Sequence, residues 1–207
     1  GAVFFSKDRL MGTQVALKQV IMPEHSSPNA PTISDTMQFR MALAQEFKVL
    51  ASLRHPHIIS VLDYGFDVLT GGQPFFTMEL LDEPETVTKY AKGRSMDEKI
   101  DLLIQMLQAL HYLHRRGIIH RDIKPANIQV TPQKQVKIMD LGLALPREAT
   151  RVTAEGMIIG TPAYLSPEQA QGHPLDQRTD IYSLGIVLYE MVTGQLPFDA
   201  DDISALL

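Results

Sequence analysis

Cysteine is absent from all 207 residues, which rules out disulfides and thiolate metal sites and leaves the redox compartment open. No Lys/Arg-rich run occurs and the net charge is −5, so the electrostatic footprint of a nucleic-acid binder is missing and no nucleic-acid partner is expected. No apolar run approaches the roughly 18 residues of a membrane-spanning helix. No signal-peptide pattern opens the chain either. These absences lead to the expectation of a cytoplasmic fragment, with any membrane anchor of the full-length protein lying outside it. What is present is a hydrophobic content of 44%, ample for a buried core in one domain or one two-lobed unit.

The N-terminal part reads as strands. Ala2-Val3-Phe4-Phe5 and Gln14 to Val20 are short apolar-rich segments around a polar turn ending in Gly12, the pattern of an antiparallel hairpin. Residues 22–35 are rich in Pro, Ser, Asn and Thr and read as a surface insertion. Thr36 to Leu53 carries Phe39, Leu43, Phe47 and Leu50 at helical spacing, which predicts one amphipathic helix. Ile58 to Leu62 and Phe75 to Leu80 bracket Thr70-Gly71-Gly72 and complete a small sheet. Beyond Glu83 the pattern turns helical. Ser95 and Glu98 form a candidate capping box for a helix reaching Arg116, with a predicted apolar face of Ile100, Leu103, Ile104, Leu107, Leu110 and Leu113 and a stop at Gly117. Ile128-Gln129-Val130 and Val136-Lys137-Ile138 read as a short hairpin, and Asp180 to Thr193 as an apolar helix ending at Gly194. The order implies an α+β architecture: a strand-rich small lobe over 1–82, a helix-rich large lobe over 83–207, and a cleft between them.

Chemistry concentrates in His120-Arg121-Asp122-Ile123-Lys124-Pro125-Ala126-Asn127 and the downstream Asp140-Leu141-Gly142. One carboxylate, Asp122, can accept a hydroxyl proton. The Asn127 amide oxygen and the Asp140 carboxylate are hard oxygen ligands suited to Mg²⁺. Lys124 can neutralise a phosphoryl group as it moves. His111, His114 and His120 also invite a metal reading, but no carboxylate or Cys completes a set. His120 is instead expected in the core.

The loop has the spacing H-R-D-x-x-x-x-N, and with Val15-Ala16-Leu17-Lys18 upstream the chain resembles a protein kinase over nearly its whole length. Gly160 to Glu168 together with Asp180 to Gly185 looks most like the eukaryotic-type serine/threonine kinases of bacteria. The resemblance implies an ATP- and Mg²⁺-dependent (or Mn²⁺-dependent) transfer to Ser or Thr hydroxyls of protein substrates, with self-association for autophosphorylation as a further implied contact. It casts Asp122 as the catalytic base, Lys124 as the marker of Ser/Thr transfer, and Asn127 and Asp140 as metal ligands. Lys18 would hold the α and β phosphates, oriented by a Glu of the next helix. Glu46 is the choice over Glu24, which falls in the insertion. Gly1, Val3 and Ala16 would cover the nucleotide, Met78 would control the back of the pocket, Glu79 and Leu81 would bond the adenine edge through their backbones, and Gln129 would lie beneath it.

By the same resemblance Thr161 would bond Asp122 and Lys124, Asp180 would brace the catalytic loop, and Arg121 would pair with a phosphorylated Thr150 or Thr153. Departures include Leu141 where the family usually has Phe, the polar Gln129, and Ser166 in place of the Ala of A-P-E. Both ends look cut: Gly1-Ala2-Val3 matches only the tail of G-x-G-x-x-G-x-V, and the helix supplying the Arg that usually pairs with Glu168 is expected beyond Leu207. Two other readings remain, a pseudokinase scaffold and a small-molecule phosphotransferase of similar fold. The first is disfavoured because Lys18, Asp122 and Asp140 are all present, the second by Lys124 and the Gly160–Glu168 segment.

Overall fold

The computed structural model describes residues 3–20, 33–67, 72–141 and 162–198. The chain divides into two compact units, Gly1–Arg54 with Ile59–Leu81, and His55–Ile58 with Asp82–Leu207.

In the smaller unit β1 (Val3–Lys7) and β2 (Gln14–Gln19) form an antiparallel hairpin with Val3 opposite Lys18. Its turn follows from Asp8, whose Oδ1 accepts from the backbone N–H groups of Leu10 and Met11 at 2.8 and 3.1 Å. Gly12 closes it at φ +69°, a conformation open to a residue without Cβ. Helix α1 (Ile33–Ser52) follows, then β3 (Val61–Asp67) and β4 (Gln73–Glu79), giving the sheet order β1-β2-β4-β3 with antiparallel neighbours. One face of α1 supplies Leu43, Phe47 and Leu50 to the core. The Phe47 ring, 1% exposed, lies 5.5 Å from that of Tyr64 and 5.4 Å from that of Phe76, so aromatic contacts tie the helix to the sheet.

Two sequence expectations shift here. The helix starts at Ile33, so the last three residues of the presumed insertion are helical. The third strand starts at Val61 instead of Ile58. Ile58 leaves this unit and forms a parallel bridge with Ile138, because an apolar run does not reveal which neighbour buries it.

The larger unit holds β5 (Glu85–Thr86), α2 (Val87–Ala91), α3 (Met96–His114), β6 (Ile128–Val130), β7 (Val136–Ile138), α4 (Pro167–Ala170) and α5 (Arg178–Thr193). Strands β5, β6 and β7 make an antiparallel sheet in that order. The Ser95–Glu98 capping box forms as the sequence suggests and fixes the start of α3. Its buried face differs from the predicted one. Leu102, Met106, Ala109, Leu110 and Leu113 are buried, while Ile100, Ile104 and Leu107 remain 46%, 46% and 42% exposed. Apolar residues occur almost all round this helix, so the arc that meets α5 and β7 is chosen by those partners and not by periodicity. Gln105 stitches α3 to the β6–β7 hairpin: its Oε1 accepts from Val136 N at 2.8 Å and its Nε2 donates to the Lys134 carbonyl at 3.1 Å. Helix α5 ends at Gly194 with φ +77°, a left-handed cap. Among the described residues no helix is long and apolar enough to cross a membrane.

Candidate active site

The loop between α3 and β6 is built by short-range bonds. Pro125–Asn127 forms a 3-10 turn with Pro at its start, and Asn127 is buried where the chain enters β6. From there the Asn127 Nδ2 donates to both the Asp122 carbonyl and its Oδ2, each at 2.8 Å. Lys124 Nζ lies 2.8 Å from the same Asp122 Oδ2. Three of the residues singled out in the sequence therefore meet around one carboxylate. Asp122 remains 44% exposed at its side chain, so it is open to an incoming hydroxyl while held by an amide and an ammonium.

Beneath this loop lies a buried frame. Asp180, on α5 and 0% exposed, accepts from the backbone N–H of His120 at 2.9 Å and of Arg121 at 2.8 Å. His114 Nε2 donates to its Oδ2 at 2.7 Å. A buried carboxylate with three donors is satisfied, and those donors fix the loop backbone. His120 completes the frame: Asp122 N donates to its Nδ1 at 3.2 Å, so its Nε2–H is the donor to the Met139 carbonyl at 2.9 Å. Burial holds the His120 imidazole below its usual pKa, against the raising influence of Asp180, and keeps that neutral tautomer. Met139 N in turn donates to the Asn127 carbonyl at 2.8 Å, which couples the position preceding Asp140 to Asn127. Arg121 and Asp140 both adopt positive φ, +67° and +54°, although neither is glycine. Backbone of that kind persists where surrounding bonds over-determine it.

Asn127 and Asp140 offer hard oxygens on two coupled backbone segments. Because the Asn127 Nδ2 is committed to Asp122, its Oδ1 is the end left to accept or to ligate. One amide oxygen and one carboxylate suit Mg²⁺, which is ordinarily held by few protein ligands plus phosphates and water. The residues therefore fit the metal.

The segment from Pro162 onward adds a second layer. Ser166 N-caps α4 in a reciprocal box with Gln169, which accounts for a hydroxyl at that position. Gln169 Nε2 donates to the Arg121 carbonyl at 2.7 Å. Tyr164 O–H donates to Glu190 at 2.7 Å, and burial together with that bond pushes its phenol well above the usual range. Glu168 accepts from the Thr179 hydroxyl at 2.7 Å, which holds its carboxyl below the usual glutamate value. This bond reaches only eleven residues along the chain and is additional to the Arg expected beyond Leu207. Gln169 carried no signal in the sequence, and neither did the pairing of His114 with a carboxylate 66 residues away.

In the smaller unit Lys18 sits half-buried on β2, opposite Val3 and Phe76 in register, with Ala16 opposite Met78. Ala16 and Met78 are buried, and Val3 is exposed. Glu79 is fixed at the end of β4: its N–H donates to Ser60 O at 3.0 Å and its Oε1 accepts from Ser60 N at 2.9 Å. Leu81 follows at the unit's end. Gln129, the polar departure from the family pattern, is hydrogen-bonded: its Nε2 donates to the Ala126 carbonyl at 3.1 Å. Leu141 is buried. Glu46 lies within α1, but its side chain is outside the described residues, as are Gly1, Thr150, Thr153 and Thr161.

An antiparallel sheet with one long helix, followed by a mainly helical unit carrying this loop, defines the protein-kinase-like α+β class. Comparison with known proteins agrees. The family model described as the protein kinase domain matches residues 1–206. The chain is 40% identical over 205 residues to the serine/threonine-protein kinase PknA of Mycobacterium tuberculosis, covering 97% of this chain and 46% of that protein. It is 38% identical to a probable serine/threonine-protein kinase of Streptomyces coelicolor over 96% of this chain and 29% of that protein. It is 40% identical to the serine/threonine-protein kinase PknB of Mycobacterium leprae over 79% of this chain and 27% of that protein. The chain belongs to the protein kinase domain family. It spans less than half the length of these curated relatives.

Proposed function

We propose that this chain is the catalytic part of a serine/threonine protein kinase, moving the γ-phosphoryl group of ATP to Ser or Thr hydroxyls of protein substrates. The observation that carries the reading is the Asp122 carboxylate held by Asn127 and Lys124 at 2.8 Å yet open to solvent. In this reading Asp122 accepts the hydroxyl proton as the acceptor oxygen attacks. Lys124 balances charge developing on the transferred group. Asn127 Oδ1 and Asp140 hold Mg²⁺ (or Mn²⁺), which when bound neutralises the phosphate oxygens. Lys18 orients the α and β phosphates and is itself oriented by Glu46. Gly1, Val3, Ala16, Met78, Glu79, Leu81 and Gln129 supply the adenine site, the first lobe spanning 1–82 and the second 83–207. Asp180 and His114 position the loop without touching substrate, and Thr161 and Glu168 shape the peptide-binding segment. The catalytic domain works in the cytoplasm, and copies associate to phosphorylate one another.

Regulation follows from Arg121. Its Nε is buried with no hydrogen-bond partner among the described residues. A phosphate on Thr150 or Thr153 would supply about −1.5 to −2 charge to answer it.

The experiment is transfer of labelled γ-phosphate by the full-length protein to a serine/threonine peptide and to aminoglycoside or choline acceptors, with Asp122→Asn as control. Peptide labelling that Asp122→Asn abolishes supports the reading. Labelling only of small molecules, or none while ATP still binds, replaces it with one of the two alternatives.

A further inference from the structure

Outside the catalytic loop, the C-terminal end of α3 and the segment that begins the larger unit line an open surface cavity of about 470 Å³. It is lined by His55, Gln108, His111, Tyr112, Arg115 and Arg116, which include two arginines and two histidines and no carboxylate. In a chain with net charge −5 such a concentration of cations is unexpected. Cations at the last turn of a helix answer its macrodipole, but that accounts for charge on α3 and not for the cavity, one wall of which comes from His55 in another segment.

The cavity is organised in advance. The Arg116 guanidinium carbon stands 3.7 Å from the centroid of the Tyr112 ring. The His55 ring lies 4.9 Å from the same ring and 5.5 Å from that of His57, whose Nδ1 donates to the Val136 carbonyl at 3.3 Å. Stacking removes rotamer freedom from a long side chain before any ligand arrives. Arg115 occupies the C-cap of α3, with its backbone N–H tied to His111, so its side chain leaves the helix at a fixed point. Among the described residues neither arginine is paired with a carboxylate. Burial lowers the His55 pKa, and so do the nearby charges of His57, Arg116 and Lys137, a sign of local cationic excess.

Two arginines and two histidines lining one cavity with no carboxylate among them suit the charge of a phosphate dianion, which guanidinium forks bind through paired donors, better than that of a single carboxylate. We infer that this cavity docks a phosphoserine or phosphothreonine side chain carried on a polypeptide. The inference rests on the proposed kinase reading only for the source of the phosphate, since phosphorylated protein is what that reaction makes. Retaining a phosphorylated chain at this site, whose Arg116 stands six residues before Asp122 in the chain, would raise the local concentration of that chain for a second transfer.

The test is binding of a fluorescein-labelled nonapeptide with one phosphothreonine flanked by alanine and glycine, read by anisotropy. The protein is the full-length Asp122→Asn form, so binding is scored without turnover. The same peptide with threonine, the same with glutamate, and inorganic phosphate as competitor complete the series. Expected are binding at least about tenfold tighter than for either unphosphorylated peptide and a further loss of about tenfold or more in Arg115→Gln and in Arg116→Gln, the scale of a lost charge-assisted hydrogen bond. Arg115→Gln, exposed at the helix end, keeps the fold and leaves transfer to a short unphosphorylated peptide unchanged in the protein with Asp122 intact. Equal binding of the glutamate and phosphothreonine peptides, phosphate binding without peptide preference, or indifference to both arginine substitutions each overturns the site. None of these outcomes bears on whether Asp122 supports transfer, which the labelling experiment decides by itself.

Discussion

The two units position their candidate residues by different means. In the smaller unit Lys18, Ala16 and Met78 are placed by strand register, a regular ladder in which each residue's neighbour follows from counting along β2 and β4. In the larger unit Asp122, Asn127 and Arg121 sit on irregular backbone fixed by side chains, above all by the buried Asp180 contributed from α5. A ladder spreads its stability over many equivalent bonds and tolerates single changes. A loop hung on one carboxylate concentrates it, so that one substitution reaches every residue of the loop.

The sharpest way to break this comparison is at the loop's oxygens. Asp140→Asn removes the anionic ligand proposed for Mg²⁺ and should lower metal-dependent turnover by roughly 10³-fold or more, about 4 kcal/mol of transition-state stabilisation, while circular dichroism stays native. Near-normal turnover would mean the loop does not hold the metal. Next in size is Phe47→Ala, which should cost about 4 kcal/mol by emptying the space between α1 and the sheet. Hydrogen exchange should show that loss in the smaller unit's amides. Asp180→Asn should cost about 3 kcal/mol, because an amide cannot accept from two backbone N–H groups and an imidazole together. Its exchange should rise at His120 and Arg121 first, with turnover falling further than stability alone explains. Should Phe47→Ala loosen His120 and Arg121 as much as Asp180→Asn does, the two units are not separately supported. Ser95→Ala, at the capping box of α3, should cost only about 1 kcal/mol in a urea titration.

The smallest effect is one of pH. Glu168 has its pKa lowered, chiefly by the Thr179 hydroxyl, from an ordinary value of 4.5. A group depressed on folding contributes stability that is full above the unfolded value and lost as pH falls through the folded one. The melting-temperature gap between the native chain and Glu168→Gln should therefore shrink from pH 4.5 downward. A gap constant with pH would assign the residue no role beyond packing.

Where the sequence was readable, the signal was local. The hairpin around Gly12, the capping box at Ser95 and the β6–β7 hairpin each depend on residues a few positions apart, and all three form. The loop from His120 to Asn127 was readable because its spacing is contiguous and its internal bonds, Asn127 to Asp122 and Asp122 to His120, are short in sequence. What escaped depends on partners far along the chain. Ile100 and Ile104 have the right period for a buried face, but α5 and β7 select Leu102 and Met106 instead. The metal reading of His114 failed on sequence alone, but nothing local pointed to its actual partner, Asp180, 66 residues on. Gln169 gave no sign that it would bond the Arg121 carbonyl. Periodicity reports that a face is apolar and says nothing about which surface will cover it.

The bridge between Ile58 and Ile138 carries a consequence for how this chain acquires its shape during synthesis. Both side chains are fully buried, and the Ile138 N–H donates to the His57 carbonyl at 2.9 Å. His57 and Val136, joined beside it, are 79 residues apart. Closing a loop of that length costs more chain entropy than closing either hairpin, so it follows the local contacts in time. At a ribosome adding about 5–20 residues per second, several seconds separate the emergence of Ile58 from that of its partner. During that interval Ile58 has not yet met the strand that covers it, and its apolar side chain is open to whatever other apolar surface is near.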